Sequence, residues 1–118
     1  MSSLTIKLLA LALIIIGEAV MIYAEISGAK IYSGNFTFQQ AFLKSIAAIF
    51  IGGAILLSGY IMGYRGFKNI WIVSAVSVTS ILVIEPVLNY LIFQQLPTKG
   101  ALIGLILGII GFISALFI

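Results

Sequence analysis

The chain has 118 residues, 63% of them hydrophobic and only 8% charged, with a formal net charge of +3. A soluble domain carries about 25% charged residues, and one this small has no interior large enough to hide so much apolar surface, so the composition excludes a soluble globule and makes lipid the solvent. With no cysteine and no histidine, disulfides, thiol catalysis, thiolate metal sites and the commonest general base are excluded too.

Four apolar runs follow one another. The first covers about 4–26. It begins with Lys7 ahead of an apolar stretch, as signal peptides do, but no small-x-small cleavage site follows cleanly, so it reads as a membrane span. Residues 27–40, SGAKIYSGNFTFQQ, are polar and glycine-rich and predict a loop, with a glycosylation-type sequon at Asn35-Phe36-Thr37. The second run is 41–64, closed by a turn at Arg65, Gly66, Lys68 and Asn69. The third is 70–93, followed by a turn at 94–99 with Pro97, and the fourth is 100–118. Each run is roughly 19–25 residues, enough for ~30 Å of hydrocarbon at ~1.5 Å per residue, and none alternates as a barrel strand does. The expected fold is an all-α integral membrane protein. It is one four-transmembrane-helix domain over 1–118 with short loops.

Even connections place both termini on one side, with Lys7, Arg65 and Lys68; the other side holds Lys30, Lys44 and Lys99. Three against three gives no positive-inside preference. That balance fits either an ordinary weak bias or dual topology with antiparallel pairing. In a membrane protein the six basic residues read as topology and interface anchors, and no nucleic-acid partner is expected.

Only three acids exist: Glu18, Glu25 and Glu85. Glu18 lies mid-run in an apolar stretch, where a carboxylate must face protein or water and commonly serves an ion or substrate path. It can load and release a proton or exchange it for a cation. Glu25 shares its helical face two turns on, nearer the interface. Glu85 lies deep in the third run, before Pro86, which removes a helical hydrogen bond and frees the carbonyl of residue 82. Asn89, one turn on, is placed to hydrogen-bond Glu85. Ser74, Ser77 and Ser80 form a polar strip that suits close packing or a cavity lining, with Ser77 the candidate lining residue. Tyr60 and Trp71 flank the second turn. They serve either as interface anchors or as faces for a cationic substrate.

Gly100, Gly104, Gly108 and Gly111 make a small-residue stripe on the fourth run, a signal for close helix packing or dimerisation. The second run carries Gly52, Gly53, Ser58, Gly59 and Gly63, again suited to close contact or bending.

Two stretches carry a family resemblance. Residues 84–118, IEPVLNYLIFQQLPTKGALIGLILGIIGFISALFI, resemble the second half of a four-helix unit of the drug/metabolite transporter superfamily, with its Glu-Pro, short polar turn and glycine-rich last helix. Residues 14–28, IIIGEAVMIYAEISG, resemble the first helix of its small members, the small multidrug resistance proteins and the aminoarabinose-lipid flippase subunits. The turn Gln94-Gln95-Leu96-Pro97 and a second membrane acid at Glu85 depart from the small multidrug resistance pattern. The resemblance implies a small secondary transporter with Glu18 as the coupling or substrate residue, working as a homodimer or paired with a similar subunit in a prokaryotic cell membrane.

The expected function is therefore movement of a small polar or cationic organic compound, proton-coupled through Glu18. Two alternatives stay open: a flippase for a lipid-linked polar head group, and a non-catalytic subunit of a larger membrane complex. No enzyme activity, metal or cofactor is expected.

Overall fold

The computed structural model describes residues 2–118, with all side chains among them except those of residues 115 and 116. Four helices follow in order: α1 (Ser3–Tyr32), α2 (Phe38–Phe67), α3 (Ile70–Phe93) and α4 (Lys99–Phe117). No strand occurs among the described residues. α1, α2 and α3 are long and apolar enough to cross a membrane. The 19 residues of α4 span about 28 Å, close to the hydrocarbon thickness. The chain is an all-α membrane bundle. Its outward side chains, such as Leu43, Phe50, Leu57 and Ile61, are large, apolar and exposed, as lipid-facing positions must be.

The helix starts are set by capping. Ser2, Thr37, Asn69 and Thr98 each accept a backbone N–H from the first turn of the helix they open. At α2, Thr37 and Gln40 form a reciprocal capping box. α2 and α3 end at Lys68 and Gln94, both in the left-handed region.

The first connection is shorter than the loop read over 27–40. α1 continues to Tyr32 and α2 begins at Phe38, leaving only residues 33–37 outside helices. The small residues behind the loop reading are instead packing residues: a Cβ on Gly28 would lie 2.6 Å from Ser45 Oγ on α2. The edge-on contact of Tyr32 with Phe38 closes the turn.

α1 is the central element. It packs along α2 over nearly its whole length and along α3 on another side, while α4 touches α3 alone. The α1/α2 register is constant: in the pairs Ala10–Gly63, Ile14–Gly59, Gly17–Leu56, Met21–Gly52 and Gly28–Ser45 the residue numbers total 73. This is an antiparallel seam with a seven-residue repeat of small residues on both helices. α1 contributes Ala10, Gly17 and Ala24; α2 contributes Ser45, Gly52, Gly59 and Gly66. A strict seven-residue repeat keeps one stripe facing the partner as the helices supercoil. Backbone contact is closest at Gly17, where a Cβ would lie 2.8 Å from the Leu56 backbone, and at Gly59, 2.9 Å from Ile14 N. With lipid outside, van der Waals contact between backbones, rather than hydrophobic exclusion, holds such a seam together.

The glycines of α4 take no comparable part in the single chain. Only Gly108 approaches another helix, its added Cβ falling 3.5 Å from Leu82 on α3; Gly100, Gly104 and Gly111 meet nothing within 4 Å among the described residues.

Candidate functional site

Glu18 sits at the midpoint of α1, 15 residues from Ser3 and 14 from Tyr32. Gly17 presses the helix against Leu56 of α2, which fixes the rotation of α1 and turns the next side chain towards α3. There Ser77 Oγ donates a hydrogen bond to Glu18 Oε1. Glu18 is only 7% exposed and Ser77 4%. The carboxyl therefore lies inside the chain's own α1/α3 interface rather than facing outward towards a second copy.

No basic residue lies at this depth among the described residues. By the seam register, Lys44 sits level with residue 29 of α1 and Arg65 level with residue 8. Lys7 lies over the Phe67 ring, Lys44 over the Phe36 ring, and Lys30 donates to the carbonyl of Ile92 at the end of α3. These contacts also place the two lysine-bearing sides at opposite ends of the bundle. Glu18 thus carries a single hydroxyl partner and no counter-ion among the described residues, in a setting where a lone carboxylate costs roughly 2.5–3.5 kcal/mol on insertion scales.

Two neighbouring hydroxyls turn back on their own helix. Ser80 is buried and donates to Val76 O, and Thr79 donates to Ala75 O, so Ser77 alone of these reaches across to α1.

Glu85 forms a second centre. The sequence suggested a buried acid; the structure places it on an exposed face, lining a cavity of about 690 Å³ between α3 and α4. The reason is helical phase. Eight residues after Ser77, position 85 has turned by about 80° at 3.6 residues per turn, away from α1 and towards α4. Asn89 lines the same cavity, with no hydrogen bond between the two; Tyr90, Gln95, Thr98 and Gly104 line it too. Glu18 is not part of it, so the two acids do not share one chamber.

Tyr60 is half-buried on α2, and Trp71 is 80% exposed at the start of α3. Neither hydrogen-bonds to Glu18 or lines the Glu85 cavity. Glu25 is exposed and borders a separate groove of about 410 Å³ between α1 and α2, beside Tyr32 and Phe38.

No protein-family model, curated protein or solved structure matches the chain.

Proposed function

We propose that the protein is a small secondary transporter of a prokaryotic cell membrane, moving a small polar or cationic organic compound with proton coupling through Glu18. The observation that supports this best is the isolation of Glu18. It stands at the midpoint of the central helix, at hydrocarbon depth, with one hydroxyl partner and no cation level with it. A carboxyl retained at such a cost has a use for its charge, and proton and cationic substrate compete for it. In this cycle α3 moves off α1, Ser77 releases Glu18, and the freed carboxyl exchanges its proton for substrate. Rocking of helices about a fixed site is the usual form of alternating access. A second copy, paired through the unengaged glycine face of α4, completes the transport unit. Proton release from purified protein on adding candidate substrates tests the reading. Release by the native chain and none by Glu18→Gln supports it; equal release by both overturns it.

A second reading, a flippase for a lipid-linked polar head group, is favoured by the cavity between α3 and α4, whose largely apolar wall also carries Glu85 and Asn89. Translocation of a lipid-linked substrate in vesicles, with no uptake of water-soluble compounds, selects it over the first.

A further inference from the structure

Glu85 lies eight residues before the end of α3, about 12 Å along the axis and thus inside the hydrocarbon span. It has no hydrogen-bond or ionic partner among the described residues, and it borders a cavity whose mostly apolar wall carries a few polar side chains. The polar side chains on its lining include the Glu85 carboxylate, the amides of Asn89 and Gln95 and the Tyr90 hydroxyl, while Thr98 Oγ1 already accepts from the Ala101 N–H. No lysine or arginine lines the cavity. The remaining wall is apolar, including Leu82 and Leu105. On the α4 side of the cavity, Gly104 has open space where its Cβ would be.

We infer that this cleft binds amphiphiles with a primary ammonium head, the head held by Glu85 and Asn89 and the tail leaving between α3 and α4. An ammonium supplies the missing positive charge and three donors for the clustered acceptors. A quaternary ammonium offers charge but no donors, and an alcohol offers a donor but no charge. The site is separate from Glu18 and does not depend on coupling through it.

The chain has no cysteine, so a single Ala101→Cys places a unique thiol in the cleft wall. Full-length protein in phosphatidylcholine vesicles is alkylated with a maleimide, with and without dodecylamine, dodecyltrimethylammonium or dodecanol. A Leu43→Cys variant, on the lipid face of α2 near the same end of the bundle, controls for changes in the bilayer itself. Dodecylamine is expected to slow labelling at position 101 by about tenfold and at position 43 not at all, with the other two amphiphiles clearly weaker. Adding Glu85→Gln, at an exposed position that leaves the bundle packed, is expected to abolish that protection; Glu18→Gln is expected to keep it even where transport is lost. Vesicles containing phosphatidylethanolamine separate the two sources of this chemistry. Protection by that lipid alone assigns a membrane lipid headgroup, and protection only by the added amine assigns a free amphiphile. Equal protection by dodecanol, protection that survives Glu85→Gln, or no protection by either amine source overturns the inference. So does labelling already blocked without ligand in proportion to protein density, which puts a second copy in the cleft.

Discussion

Ser77 on α3 donates its hydroxyl to the carboxyl of Glu18 on α1, 59 residues earlier in the chain, and this bond joins the two helices at the midpoint of α1. It is held in place from another side, where Gly17 rests on the backbone of Leu56. The charge-bearing residue and one of the closest backbone contacts are thus neighbours in sequence, about 100° apart around one helix.

Ser77→Ala removes the one hydroxyl partner of Glu18. An intramolecular hydrogen bond contributes about 0.5–1.5 kcal/mol net, so a loss of stability in that range is expected while the helices remain assembled. Ser77→Thr keeps the hydroxyl and is expected to recover most of it. Thermal unfolding in detergent, with uptake measured in parallel, checks both. A Ser77→Ala protein as stable as the native one would remove this bond from the account of the fold.

The seam glycines and the α4 glycines are expected to respond in opposite ways. Gly17→Val and Gly59→Val place carbon against backbone that cannot retreat, and overpacking of that kind costs about 1–3 kcal/mol or more. Gly104→Ala and Gly111→Ala meet open space in the single chain and are expected to leave its fold intact. Any loss they cause should appear only in dimer content, which crosslinking in vesicles measures.

Lys30→Ala carries two expectations. Loss of its bond to the Ile92 carbonyl should lower stability by about 1 kcal/mol. Loss of its charge changes a three-to-three balance to three against two, which should favour the side with Lys7, Arg65 and Lys68 facing the cytoplasm. A carboxy-terminal reporter then reads from one side of the membrane.

Thr37→Ala removes the cap and half of the capping box at the start of α2. A cost of about 1 kcal/mol is expected, with fraying confined to the first turn, read by hydrogen exchange of the 38–41 amides.

The four apolar runs were plain in the sequence because lipid demands them, and the starts of α3 and α4 fell within a residue of the expected positions. The first connection was misjudged because Ser27 and Gly28 look like loop residues by composition, whereas between two membrane helices smallness serves contact. Gly100, Gly104 and Gly108 stood out because their four-residue spacing is dense. The repeat Ser45, Gly52, Gly59, Gly66 is sparser and becomes legible only when set against Ala10, Gly17 and Ala24 on the partner helix. Glu18 and Ser77 were each visible as candidates. That they touch depends on the relative height of α1 and α3, which no single-helix pattern encodes. Glu85 drew notice as a deep acid, but its direction follows from the phase that Ser77 imposes on α3.

The constant register of α1 and α2 also limits how the molecule can move. With small residues returning only every seventh position, a slide of one residue drives bulk into backbone all along the seam. The next matching alignment lies a full repeat away, about 10 Å, which would pull the helix ends out of the headgroup region. The two helices therefore travel as one strut. Any change of shape available to the bundle has to be made by α3 and α4, which are the helices that carry Ser77 and border the Glu85 cleft.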